Sequence, residues 1–293
     1  MLKKQEIYKL LEKGPLFLDG ATGSNLQKAG MPRGCCTEQW ILDHPDALAA
    51  LQSAYAAAGS HIVYAPTFQA QPIALERVGL DQSTEKINKN LVELSRQSAP
   101  GCLIAGNLTT LAAFTDSFDE NNMELMIENY RRQIVGLLEG GADLLAAETL
   151  MYPTEAEAIF TAAELEGAET VFYTFTMQSD GSLFSGREAG PILRELEQSG
   201  AAAVGFNCVA ADQFTPGLVS KLRRYVKGPL ICKPNAGTPY IGPENLPVYP
   251  MEEQEFADIL AQCHQMGAKI LGGCCGTSPD YIRAVRQRIF SKP

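Results

Sequence analysis

The sequence predicts an α/β protein, a single (β/α)8 TIM barrel spanning residues 1–293, and three observations lead to it. Eight short apolar runs, each too short for a helix, recur along the chain. Longer stretches of helical period alternate with them and end at glycines. The length of 293 residues is that of eight strand-helix units closed into one barrel.

In order, the first run is Leu16 to Leu18, bounded by Asp19-Gly20. Asp46 to Ala58 (DALAALQSAYAAA) reads as a helix that starts on a capping-type Asp after Pro45 and stops at Gly59, ahead of the second run, Ile62 to Ala65. The third run, Leu103 to Ala105, is followed by a helix over Asn121 to Glu139 that stops at Gly140-Gly141. Leu144 to Ala147 is the fourth, and Thr154 to Glu166 after Pro153 is the helix behind it. Val171 to Phe175, Ala203 to Phe206 and Leu230 to Cys232 are the fifth to seventh. A helix over Met251 to Met266, between Pro250 and Gly267, leads to the eighth run, Lys269 to Leu271. Apolar runs without clean alternation suit parallel strands buried on both faces. A doubly wound open sheet is the competing architecture, but no GxGxxG follows the first strand and no GxxxxGK[ST] occurs anywhere.

Composition narrows the function. The chain is 45% hydrophobic and 20% charged, with 24 Lys plus Arg against 34 Asp plus Glu and a formal charge of -10. A polyphosphate backbone or an anionic membrane would be repelled on average, so neither nucleic acid nor membrane is expected as a partner. No apolar run approaches the ~20 residues of a membrane span, and the first residues do not read as a signal peptide, so a cytoplasmic location is expected. In that compartment the eight cysteines are expected to be reduced thiols.

In a barrel of this kind, function gathers at the C-terminal ends of the strands. Cys208 follows the sixth strand, and Cys274-Cys275 follow the eighth inside Gly272-Gly273-Cys274-Cys275-Gly276, so three thiols from distant segments would share one mouth. Adjacent residues on a regular strand point to opposite sides, and the flanking glycines would let the backbone leave the strand there. Three thiolates suit a tetrahedral Zn²⁺ with one open position, the arrangement of a catalytic site; small core residues or a vicinal disulfide are the alternatives. Cys102, Cys232 and Cys263 are expected as structural thiols, and Cys35-Cys36 lack further ligands nearby. Asp19 and Glu148, at the ends of the first and fourth strands, have no packing reason to be there. Either they are caps and solvated loop charges, or they receive a substrate ammonium while main-chain N–H groups around Gly20-Ala21 and the Thr67 hydroxyl receive a carboxylate. An amino-acid substrate fits the second division. His44, His61 and His264 lie away from the expected mouth, and Trp40 is expected to fill core.

LDGATGSNL, TFQA, AET, GFNC, KPNAG and GGCCGTSP, running from about Pro15 to Arg288, together resemble the homocysteine S-methyltransferase family. KPNAG followed by Pro247-Val248-Tyr249-Pro250 is most similar to the homocysteine-binding domain of cobalamin-dependent methionine synthase. The resemblance implies one Zn²⁺ per chain held by Cys208, Cys274 and Cys275, which therefore also count as the catalytic set, and homocysteine as the acceptor methylated to methionine. It further implies amino-acid contacts from Asp19, Gly20, Ala21, Thr67, Glu148 and Asn235. Two mouth segments depart from the family pattern: Ala65-Pro66 where Thr-Asn is common, and Gly106-Asn107-Leu108-Thr109-Thr110 where Gly, a Ser or small residue, Ile, Gly and Pro are common. No Asp-x-His-x-x-Gly cobalamin motif is present, so the donor is expected to be methylcobalamin on a separate corrinoid protein, or else S-methylmethionine, S-adenosylmethionine or betaine. A remoter alternative uses Lys233, after the seventh strand, as a Schiff-base lysine.

Overall fold

A computed structural model describes residues 1–115, 118–119, 121–242 and 246–291. Eight parallel strands form one sheet: β1 (Leu16–Phe17), β2 (Ile62–Tyr64), β3 (Leu103–Thr109), β4 (Leu144–Leu150), β5 (Val171–Phe175), β6 (Ala203–Ala210) and β7 (Leu230–Asn235), with β10 (Ile270–Leu271) as the eighth. A separate antiparallel hairpin, β8 (Tyr240–Ile241) with β9 (Pro247–Val248), rises between β7 and β10. The strand order is β1-β10-β7-β6-β5-β4-β3-β2, so the sheet curls until its two edge strands meet. Across that seam the His61 amide donates to the Phe17 carbonyl (2.7 Å), and the Phe17 amide donates to His61 Nδ1 (3.0 Å). The sheet is thus nearly closed into a barrel with helices around it, and the doubly wound alternative is set aside.

All eight expected strands are present, and the four expected helices differ only at their ends. The helix of Pro45–Ala58 starts one residue early, because proline fits the first helical position; Asp46 therefore lies in the first turn and is not the cap. The helix of Met123–Glu139 starts late because Asn122 Oδ1 accepts from the Leu125 amide (3.2 Å) and caps it. Pro153–Leu165 and Glu253–Gln265 complete the four. Among the described residues, no helix is long and apolar enough to cross a membrane.

Side-chain parity explains where the site must lie. Leu16, Leu18, Ile62, Tyr64, Ala105, Leu144, Ala146, Phe172, Ala203, Ile231 and Ile270 form one buried cluster, the barrel interior. Their sequence neighbours Phe17, Val63, Ile104, Leu145, Ala147, Tyr173, Val204, Cys232 and Leu271 face the surrounding helices in a second cluster. Ile7, on the helix of Lys4–Leu11, packs into the interior cluster and plugs the N-terminal end of the barrel. Two residues beyond the last apolar interior positions the same parity brings in Asn107, Glu148, Thr174 and Lys233, all buried. The interior is therefore apolar below and polar at its C-terminal rim.

Candidate active site

The three thiols meet because the backbone breaks strand alternation twice. In β6 the pairing with β7 shifts register between Asn207 and Ala210, and Cys208 sits there in the left-handed region at φ 57°. For a non-glycine residue that conformation costs roughly 1–2 kcal/mol, and it is what lets the adjacent Asn207 and Cys208 both reach the mouth. The other two thiols lie beyond β10, where the chain turns through Gly272 and Gly273. The Cys274 amide donates to the Pro234 carbonyl (2.7 Å), and the Cys275 amide donates to Asn235 Oδ1 (3.0 Å). Gly276 closes the turn at φ 81°, packed so closely on the Tyr249 ring that a Cβ would collide with it.

The Sγ atoms of Cys208, Cys274 and Cys275 lie within 4.8 Å of one another, and all eight cysteines are free thiols. Among the described residues this is the one group of three or more potential metal-ligating side chains. Hydrogen bonds from Cys208 and Cys274 pull the Cys275 thiol below its ordinary range, while contacts with Cys274 and Cys275 push Cys208 up. Three sulfurs this close cannot all ionise without a cation among them, and thiolates are the ligands that zinc takes. The residues present fit that metal.

Beneath the sulfurs is a buried ion pair. Lys233 Nζ donates to Glu148 Oε2 at 2.8 Å, with the two side chains 4% and 8% exposed, and Nζ also stands 4.9 Å from the centre of the Tyr64 ring. Burial opposes the lysine's charge, but Glu148, Cys274, Tyr64 and Asp19 outweigh it and hold the ammonium well above its ordinary pKa. A Schiff-base lysine needs a free amine, so this geometry disfavours that alternative. Glu148 Oε1 accepts from Asn107 Nδ2 (2.9 Å). The residue after Glu148, Thr149, is also left-handed (φ 58°), at a register shift in β4. Asn207 ties the two irregular strand ends together: its Oδ1 accepts from the Thr149 amide (2.7 Å) and Thr174 Oγ1 (2.8 Å), and its Nδ2 donates to Thr149 Oγ1 (2.7 Å) and reaches toward Cys274 Sγ (3.8 Å). Asp19 Oδ2 accepts from the Tyr64 amide (2.8 Å); burial pushes this carboxyl up to about 7, against the opposing pull of Lys233.

A cleft of about 700 Å³ opens over this floor. Asp19, Gly20, Ala21 and Glu148 line it, as the sequence led one to expect, together with Cys274 and Cys275. Asp19 and Glu148 are buried, so they are neither caps nor solvated charges. Thr67 is placed differently. The chain leaves β2 at Ala65-Pro66, and the fully buried Thr67 hydroxyl donates to the Asn107 carbonyl (2.8 Å) and accepts from the Asn107 amide (3.1 Å), behind the cleft wall. Asn235 likewise faces the Cys275 amide and is absent from the cleft lining among the described residues. The Ala21 amide, expected to meet a carboxylate, donates to Thr277 Oγ1 (3.2 Å), which donates to the Cys274 carbonyl (2.7 Å) and so straps the first loop to the thiol turn. Gly20 is required beside that strap, since a Cβ there would stand 2.5 Å from Thr277 Oγ1. Residue patterns alone did not assign roles to Asn107, Asn207 or the Lys233–Glu148 pair. Counting by twos from the apolar interior positions would have placed Asn107 on the same inner face as Glu148 and Lys233. Glu38 was missed as well: it is buried at the cleft's outer wall and accepts from the Gln69 amide (2.8 Å).

The histidines stand apart from the cleft lining among the described residues: the exposed His44 stacks on Trp40 at 4.4 Å, His61 sits in the barrel seam, and His264 Nδ1 lies 2.8 Å from the Ala268 carbonyl. Cys232 and Cys263 are fully buried in the packing between sheet and helices.

A family model described as homocysteine S-methyltransferase matches residues 16–289. The homocysteine S-methyltransferase of Escherichia coli (strain K12) is 28% identical, over 98% of this chain and 97% of its own length. The methionine synthase of Mycobacterium leprae (strain TN) is 26% identical over 91% of this chain, which spans 24% of that longer protein. Among solved structures, the metallated form of the homocysteine methyltransferase MmuM from Escherichia coli superposes with a TM-score of 0.81 at 26% identity, covering 96% of this chain and 98% of that one.

Proposed function

The chain belongs to the homocysteine S-methyltransferase family, and from that premise we propose that it is a zinc-dependent methyltransferase that converts homocysteine to methionine. The observation that carries this reading is the set of three sulfurs within 4.8 Å of one another, set above a buried, charged floor at the barrel mouth. Cys208, Cys274 and Cys275 would hold one zinc per chain. Bound there, the metal would keep an acceptor sulfur as thiolate near neutral pH, where a free thiol of pKa ~8.5 is mostly protonated. The chain's own groups bind and orient: the Asp19 carboxyl and Glu148, the latter balanced by Lys233, offer oxygens to a substrate ammonium, and the Thr277 strap fixes the thiol turn against the first loop. In the transfer the sulfur lone pair takes the methyl carbon, the acceptor's thiol proton having left, and the bonding pair stays with the departing donor. The product is a neutral thioether, which would be a poorer ligand for such a metal than the thiolate.

For the donor, the KPNAG and Pro247-Val248-Tyr249-Pro250 segments support methylcobalamin presented by a separate corrinoid protein. A second reading, a small sulfonium or quaternary ammonium donor such as S-methylmethionine, S-adenosylmethionine or betaine, is favoured by the end-to-end match to the Escherichia coli enzyme. The test is methionine formation by zinc-loaded protein with each small donor and with a methylcobalamin-loaded corrinoid protein, alongside zinc analysis of the Cys208→Ala/Cys274→Ala/Cys275→Ala variant. Turnover with one donor class and loss of zinc in the variant are expected. Wild-type protein that binds no stoichiometric zinc, or a triple variant that still transfers methyl, overturns the reading.

A further inference from the structure

Two residues of the cleft lining each carry a buried oxygen with no hydrogen-bond partner: Asp19 Oδ1 and Asn107 Oδ1. Glu148, by contrast, already faces Lys233 through Oε2 and Asn107 through Oε1. The orientation of the Asn107 amide follows from that contact. A carboxylate only accepts hydrogen bonds, so the end of Asn107 that meets Glu148 must be the donating Nδ2, and the carbonyl end is the one left over. The main chain beneath it is fixed, because Thr67 Oγ1 bonds both the backbone N–H and the backbone carbonyl of Asn107 and Gln133 Nε2 donates to the same carbonyl (3.2 Å), and the Nδ2 contact with Glu148 holds the side chain itself. A buried acceptor held in this way is unfavourable until a donor arrives. Glu148 is balanced by Lys233, so it is the unmatched Oδ1 of Asp19 beside that of Asn107 that suits a donor with several N–H groups, as an ammonium has.

We propose that Asn107 is a specificity-determining residue whose Oδ1 receives the α-ammonium of the amino-acid acceptor, beside Asp19 Oδ1. The proposal rests on the acceptor reading above. It gives Thr67 a positioning role in place of direct substrate contact. A site built to bond an ammonium discriminates against an acceptor that lacks one, because its own oxygens are then left unmet.

The experiment is calorimetric binding to zinc-loaded protein of homocysteine and of 4-mercaptobutanoate, the same thiol acid without the amino group; no methyl donor is needed. Asn107→Leu should weaken homocysteine roughly 10- to 100-fold, as for a lost hydrogen bond to a charged group. Its affinity for 4-mercaptobutanoate should stay within about twofold, with the zinc content unchanged. Asn107→Ser, which retains a shorter acceptor, should fall between wild type and Asn107→Leu and covers the case in which the leucine variant does not fold. Equal losses for both ligands, or homocysteine affinity unchanged in the variants, would overturn the proposal while leaving the acceptor reading intact. Wild-type protein that binds 4-mercaptobutanoate as tightly as homocysteine would sink the ammonium contact itself, and wild-type protein that binds neither would sink the acceptor reading and the proposal with it.

Discussion

Replacing Lys233 with methionine tests whether the charged floor is one coupled unit. Methionine keeps the unbranched stem and removes the ammonium, so the change leaves Glu148, 8% exposed, without its cation. Breaking a buried pair from one side costs about 3–5 kcal/mol, because the remaining charge is still desolvated. For a chain of 293 residues, an unfolding entropy of ~2.1 cal/mol/K per residue converts that loss into a melting point about 5–8 °C lower. Glu148→Gln should be destabilising from the other side, since it strands the buried ammonium. The double variant Lys233→Met/Glu148→Gln leaves neither charge, so it should be more stable than the sum of the two single losses implies, with a coupling energy of about 2 kcal/mol or more. Denaturant and thermal unfolding of all four proteins in the same metal state would measure this. Additive losses would refute the reasoning, showing that each charge is satisfied independently of the other.

Two further outcomes can be checked directly. Burial pushes Glu38 up to about 7 from an ordinary 4.5, against the hydrogen bond from the Gln69 amide, so the folded protein keeps a proton that the unfolded chain releases between those values. Stability should therefore fall as pH rises through that window, and Glu38→Gln, which keeps an acceptor for Gln69, should exceed wild type by up to about 3 kcal/mol at pH 8 and match it near pH 4.5; denaturation curves showing the variant weaker at pH 8 would contradict this. Asn207→Ala removes the hydrogen bonds that tie the left-handed Thr149 to the strand carrying Cys208, and zinc affinity by chelator competition should drop roughly tenfold, as when other partners of metal ligands are lost; an unchanged affinity would mean that the thiols hold their places without it.

Much of the molecule can be read from its sequence because two local rules suffice. Runs such as residues 144–147, Leu-Leu-Ala-Ala, have no exposed face to spare and must be central strands. Cys208 and Cys274-Cys275 stand out because thiols at two strand ends, one pair of them flanked by glycines, have few structural uses. The rest depends on contacts that no short window contains. Thr67 reads as a free hydroxyl at a strand end, yet Asn107, 40 residues away, takes its one donor and one of its acceptor positions. Lys233 admits a Schiff-base alternative until Glu148, 85 residues away, is seen to hold it protonated. Left-handed Thr149 and Cys208 carry no mark in residue type, since neither is a glycine or an asparagine.

Those two left-handed residues also separate what each strand must do below and above them. Beneath the irregularity, the choice of inward and outward side chains answers to the packing of the apolar layers. Beyond it, the direction of Cys208 and Thr149 is set by backbone bonds to β7 and by Asn207. Substitutions that repack the barrel interior can therefore accumulate and alter how firmly the chain folds without re-aiming the sulfurs, which leaves the rim free to keep its chemistry while the body beneath it drifts.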